Sequence, residues 1–126
     1  DALYVAIRVL RTMAKTGQSI TEFMDKLPDV HASPECRVMC DDKIKFTIME
    51  QLHHFASNNL ADKEVITIDG IRVQDESGWW LIRASNTEAC LVVRAEGRDE
   101  ASLAHKISEV KEALAQQNII WDGPTA

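Results

Sequence analysis

Apolar positions along the chain change their period several times, and each change marks an element. Over residues 1–15 the side chains Ala2, Leu3, Val5, Ala6, Ile7, Val9, Leu10, Met13 and Ala14 leave only a narrow polar edge at Arg8, Arg11 and Lys15. That pattern predicts a helix needing cover on nearly every side. Gly17 is placed to cap it, and Ser19-Ile20-Thr21-Glu22 has the capping-box spacing of a second short helix ending before Pro28. Residues 28–34 hold two prolines among polar neighbours, the composition of a linker, so a domain boundary is placed there. A short strand is then predicted over 35–40. A helix follows, capped by Asp41 or Asp42, with the stripe Ile44, Ile48, Leu52 and Phe55, and with Met49 and Ala56 beside it, up to about Asn59.

Strand patterns fill the next forty residues. Val65 to Ile68 and Ile71 to Asp75 flank Asp69-Gly70, the dipeptide of a two-residue type I′ hairpin. A turn at Glu76-Ser77-Gly78 leads into Trp79 to Ala84, and a polar bend leads into Ala89 to Glu96. Asp99 caps a last helix on which Leu103, Ile107, Val110 and Leu114 recur at helical spacing. The tail, 118–126, carries Gly123 and Pro124 and is expected to fray, with Ile119, Ile120 and Trp121 available to dock. The order is a helix pair (1–27), a linker (28–34), a β-α-β-β-β-β-α domain (35–117) and a tail. Short turns make consecutive strands antiparallel. The expected fold class is therefore α+β, a four-stranded antiparallel sheet packed on two amphipathic helices.

With 126 residues, 45% hydrophobic and 27% charged, the chain suffices for one domain with a core. A formal charge of −6 argues against a general nucleic-acid partner, whose phosphates demand clustered Lys and Arg. No run of about twenty apolar residues and no basic leader before an apolar core is present, so no membrane partner is expected and a cytoplasmic location is the reading. The odd count of cysteines (Cys36, Cys40, Cys90) suggests reduced thiols. On one strand Cys36 and Cys40 would stand about 13 Å apart, too far for a disulfide. Cys90, within an apolar strand, reads as a small core residue. His53 and His54 point about 100° apart on a helix, which fits a solvated face and no metal. Lys43-Ile44-Lys45-Phe46 reads as ordinary helix-start composition.

The polar bend Arg83-Ala84-Ser85-Asn86-Thr87-Glu88 joins two apolar runs. Arg83 shares a strand face with Trp79 and Leu81, where a guanidinium needs a bound phosphate, a carboxylate partner or simple edge exposure. Ser85, Asn86 and Thr87 offer hydroxyl, amide and main-chain donors suited to a phosphate dianion. The same residues are also ordinary turn formers. Arg94, across the hairpin, either supports the loop or covers apolar surface with its stem. Glu88 has the wrong sign for an anion and is expected to point away or pair with an arginine.

Together Asp69-Gly70-Ile71-Arg72-Val73, Gly78-Trp79, the six-residue bend and Arg94 resemble the C-terminal domain of the phosphohexomutases, in particular of the bacterial phosphomannomutase/phosphoglucomutases. The resemblance covers nearly the whole chain. It implies a domain related to the TATA-binding-protein fold, with 1–27 as the last helices of a preceding third domain and 28–34 as a hinge. It implies that Arg83, Ser85, Asn86 and Thr87, with Arg94 in a lesser part, bind a substrate phosphate. The parent enzyme would interconvert hexose 1-phosphate and hexose 6-phosphate (glucose or mannose) through a phosphoserine and a bisphosphorylated sugar, with Mg²⁺ at the serine. The phosphoserine, magnesium and sugar-recognition loops of that family have no counterpart in this chain, so neither a catalytic residue nor a metal ligand is expected in it, and alone it should be inactive. Its partners would be the phosphosugar and upstream domains of the same chain, and the 1–27 helices predict self-association. The alternative is a non-catalytic α+β ligand-binding or protein-interaction module. Upstream serine and aspartate-rich loops would decide for the mutase.

Overall fold

The computed structural model describes residues 1–124. Helix α1 (Ala2–Thr16) starts where Asp1 Oδ1 accepts from the Tyr4 N–H at 3.0 Å and ends at Gly17, whose φ of 70° turns its N–H onto Met13 O. Helix α2 (Ile20–Met24) carries the expected capping box, with Glu22 N–H donating to Ser19 Oγ and Ser19 N–H to Glu22 Oε2. Neither helix contains a buried residue, and Leu3 and Leu10 are 72% and 63% exposed. Apolar sequence without cover is thus the state of this segment within the described residues.

The remaining elements are β1 (His31–Ala32), β2 (Cys36–Met39), α3 (Lys45–Asn59), β3 (Glu64–Ile66), β4 (Ile71–Asp75), β5 (Gly78–Ala84), β6 (Cys90–Gly97) and α4 (Glu100–Ala115). The sheet has six strands, not the four expected, in the order β1-β6-β5-β4-β3, with β2 also paired to β6. Every pairing is antiparallel. The extra members lie at one edge. Strand β2 joins the last strand of the meander, and β1 falls inside the expected linker. Ala32 faces Glu96 and Cys36 faces Val93, so the 32–36 side carries one residue more than its partner, as at a β-bulge. Buried Ser33 spans the irregularity: its N–H donates to Ala95 O, and its Oγ accepts from the Ala95 N–H at 2.9 Å. Pro34, which has no N–H to offer the ladder, sits in the bulge.

Strand alternation sends Ile71, Val73, Trp80, Ile82, Leu91, Val93 and Ala95 to one face, where they meet Ile48, Met49, Leu52 and Ala56 of α3 and Val110, Ala113 and Leu114 of α4. Each fully buried side chain of this size contributes about 1.5–3 kcal/mol. Helix α3 begins later than expected. Asp41 Oδ1 accepts from the Lys43 N–H within a turn, Ile44 is the N-cap without a side-chain cap and is half exposed, and Lys45 takes the inward position in its place. The two-residue hairpin is also absent. Ile66 pairs with Arg72, so five residues make the turn, and only Gly70 of the Asp-Gly pair has a positive φ. After α4 the chain turns through Asn118 at φ 58°, and Ile119 and Trp121 pack on the core while Ile120 stays exposed. The tail therefore docks through residue 124, and the last two residues of the expected fraying segment lie outside the described range.

A cluster of charges ties the far end of the sheet to α4. Fully buried Lys106 bonds to Asp75 and to Glu109, Lys63 bonds to Glu109, and Trp80 Nε1 donates to Glu109 Oε2 at 2.9 Å. Burial would raise the Asp75 carboxyl, but the hydrogen bonds from Lys106 and Ser77 hold it well below the usual carboxylate range. Glu109 is likewise lowered, its burial overridden by Lys63, Lys106 and Trp80. Burial acts to lower Lys63, and its bonds to Glu109 and Asp75 reverse that and raise it.

Candidate functional site

The polar bend forms the loop between β5 and β6, at the end of the hairpin opposite the Lys106 cluster. Ala84 pairs with Leu91, and Ser85 N–H closes the ladder on Cys90 O at 3.0 Å. Buried Ser85 turns its Oγ inward, where it accepts from the Thr87 and Glu88 N–H groups at 3.4 and 3.1 Å. Its oxygen thus serves the loop's own main chain, while its hydroxyl hydrogen is engaged by no described residue. Asn86 and Thr87 stand exposed at the tip, and their side chains bond to no described residue. Glu88 does pair with an arginine: Arg37 Nε lies 3.4 Å from Glu88 Oε2.

Arg83 lies opposite Val92, on the sheet face that no helix covers. Arg37 faces Val92 from the other side, so two arginine stems flank that valine and bury it to 6%. Among the described residues no carboxylate comes within 4.0 Å of the Arg83 guanidinium. Arg94 faces Leu81 and is a diagonal neighbour of Arg83 on the same face, about 7–8 Å away across the hairpin. It is exposed and farther from the loop than Arg83. Arg72, facing Leu81 from β4, stacks its guanidinium 4.7 Å from the centre of the Trp79 ring.

Two residues that the sequence reading treated as plain surface take part in building the loop's surroundings. His53 is half buried and donates from Nε2 to Gly70 O at 3.1 Å, whereas its neighbour His54 is solvated as expected. Gly70 in turn packs so closely that an added Cβ would stand 2.6 Å from Arg83 Cβ and 2.4 Å from Ile82 O. Lys45 is the larger omission. Its ammonium is buried beneath the loop, 2.6 Å from Ser85 O, 3.2 Å from Glu88 O and 2.5 Å from the Asp42 carboxylate. Helical spacing carried the signal, since Lys45, Ile48, Met49, Leu52 and Ala56 share one face of α3.

The three cysteines are free; Cys90 is fully buried, beside rather than within the main core cluster. Among the described residues no three His, Cys, Asp or Glu side chains converge as ligands of a metal would. No helix of the described residues is long and apolar enough to cross a membrane.

Residues 34–114 match the sequence profile of the phosphoglucomutase/phosphomannomutase C-terminal domain. Over 103 residues, 82% of the chain, it is 37% identical to a phosphomannomutase/phosphoglucomutase of Pseudomonas putida, and spans 22% of that protein. It is 33% identical over 109 residues to a phosphoglucosamine mutase of Methanococcus maripaludis, covering 86% of the chain and 24% of the relative. The crystal structure of a phosphoglucomutase/phosphomannomutase family protein from Burkholderia thailandensis superposes on 99% of the chain with a TM-score of 0.74 at 29% identity, the match covering 26% of that protein. The chain thus spans about a quarter or less of the length of the curated relatives named here. The profile match over residues 34–114, with relatives 33–37% identical over more than four fifths of the chain, shows that the chain belongs to the phosphoglucomutase/phosphomannomutase family, with residues 34–114 as its C-terminal domain.

Proposed function

We propose that the loop of residues 85–89, with Arg83, holds the phosphate of a phosphosugar for a longer phosphohexomutase that interconverts hexose 1-phosphate and hexose 6-phosphate. One observation carries this reading: Arg83, Asn86 and Thr87 present a guanidinium, an amide and a hydroxyl at one hairpin end with no internal partner. Unspent donors beside a guanidinium are what a dianion recruits, each bond being worth about 1.5–3 kcal/mol. Ser85 shapes the loop through its oxygen and keeps its hydroxyl hydrogen for the phosphate, and Arg94 adds positive charge on the same face.

In this reading the domain grips the phosphate that is not transferred. Binding energy gathered there fixes the sugar and lowers the barrier at a distant reacting oxygen. The phosphoserine and the Mg²⁺ belong to other parts of the parent, and the bisphosphorylated sugar passes between them and this loop. The exposed apolar helices 1–27 are the surface on which a preceding domain packs, 28–30 is the part of the 28–34 link that lies outside the sheet, and the sheet belongs to the TATA-binding-protein-like fold. Three free thiols suit a cytoplasmic enzyme.

The test is a titration of the chain with glucose 6-phosphate followed by amide NMR. Shifts confined to Arg83 through Thr87, with an affinity of millimolar order, are expected, because a handful of bonds must offset the cost of immobilising the sugar. No shift there at tens of millimolar would reject the assignment. In the longer protein Arg83→Ala should reduce turnover at least a hundredfold, about 2.7 kcal/mol of transition-state stabilisation.

A further inference from the structure

We propose that Lys45 is the positioning residue of this loop, turning the loop's main-chain N–H groups outward toward the anion; the inference rests on the phosphate reading above. The Lys45 ammonium reaches both ends of the turn at once, Ser85 O at 2.6 Å and Glu88 O at 3.2 Å, from a side chain that is 4% exposed. All peptide bonds here are trans, so the C=O and N–H of each unit point in opposite directions. Drawing the Ser85 carbonyl inward aims the Asn86 N–H outward, and drawing the Glu88 carbonyl inward does the same for the Ala89 N–H. Neither N–H finds an acceptor among the described residues, whereas those of Thr87 and Glu88, between them, are both taken by Ser85 Oγ. The loop therefore has two satisfied amides inside and two free ones outside, and Lys45 with Ser85 sorts them.

A lysine in the first turn of α3 opposes the helix dipole and is left without solvent, so its place is not explained by the helix that carries it. Asp42, 2.5 Å away and itself exposed, balances the charge. With that charge balanced, the effect of Lys45 on a bound anion runs through loop geometry rather than through its own field. Lys45→Met keeps most of the side chain's volume and removes the donor, leaving two carbonyls free to flip their peptide units.

The experiment titrates the chain and its Lys45→Met variant with inorganic phosphate, reading the Asn86 and Ala89 amides and, in the unmodified chain, the Lys45 ammonium resonance. Expected are shifts of both amides in the unmodified chain, an ammonium signal that moves with the same midpoint, and about tenfold weaker phosphate binding in Lys45→Met, or 1.4 kcal/mol, while the amides of Leu52, Trp80 and Val93 stay in place. Unweakened binding by a folded Lys45→Met overturns the positioning role and leaves the phosphate reading standing. Absence of any loop shift in the unmodified chain overturns both. Should Lys45→Met fail to fold, the ammonium signal decides: movement with phosphate supports the role, and a fixed signal beside shifting Asn86 overturns it.

Discussion

A methyl group placed on Gly70 tests how the β3–β4 turn supports Arg83. Two costs add. The first is conformational, because Gly70 has φ 88° and an L-residue held in left-handed backbone loses about 1–2 kcal/mol. The second is steric. The new Cβ would lie 2.4 Å from Ile82 O, 2.6 Å from Arg83 Cβ and 2.8 Å from Arg83 Cα, and two of those three atoms are main chain in a central strand that cannot rotate aside. Overpacking of that kind costs about 1–3 kcal/mol. The sum is about 3 kcal/mol, which for a domain near 100 residues lowers Tm by about 12–24 °C. Calorimetry of Gly70→Ala reads the stability, and a phosphate titration of the folded fraction reads the displacement of Arg83 as weaker binding. Gly123→Ala is the control: its φ is 103°, but only the flexible end of Lys111 stands within 3.2 Å, so the conformational loss of about 1–2 kcal/mol alone is expected. Equal losses in the two variants would refute the close-approach argument, and unchanged phosphate affinity in Gly70→Ala would separate the turn from the site.

Two further outcomes follow from the polar cluster and the bare helices. Asp75 and Glu109 titrate below their unfolded values of about 3.9 and 4.3, so their contribution is complete above those values and is lost as pH falls through the folded ones, while Lys63, being raised, loses its share only above about pH 10.4. Urea unfolding should find Glu109→Gln about 3 kcal/mol less stable at pH 7, where Lys63 and Lys106 lose a buried counter-charge, with a smaller gap at pH 3; the same gap at both pH values would refute the assignment. Replacing Leu3, Ile7 and Leu10, which share one exposed face of α1, with lysine should convert a self-associating chain to a monomer in sedimentation. An unsubstituted 126-residue chain that already sediments as a monomer would count against that surface being adhesive.

Local signals in the sequence were sufficient where an element carries its own instructions. The capping box at Ser19–Glu22, the Gly17 cap, the Asp99 cap with Ser102 and the apolar stripe of α4 all depend on neighbours a few residues away, and all are formed. What was not legible depends on distant chain. The strand at His31–Ala32 is two residues long and exists only because β6 offers a free edge. The type I′ hairpin lost to a five-residue turn in which Gly70 must clear Arg83, a strand away. At the loop, the positions of Arg83, Asn86 and Thr87 followed from their place between two strands. The roles of Ser85 and Lys45 did not, because a hydroxyl's direction and a lysine's burial are decided only when α3 and the hairpin meet. The lysines of the Lys106 cluster escaped notice for the same reason, their carboxylate partners lying 31 and 46 residues away in the chain.

Ser33 has one more consequence. Through its two bonds to Ala95 and through the pairing of His31 with Gly97, the sheet grips the chain from residue 31 onward. A tether of seven residues would reach about 24 Å, but with its second half stitched to β6 only Pro28-Asp29-Val30 lie outside the sheet, a span of about 10 Å. The reach of this connection is therefore set by the pairing with β6 and not by the number of residues between the two prolines.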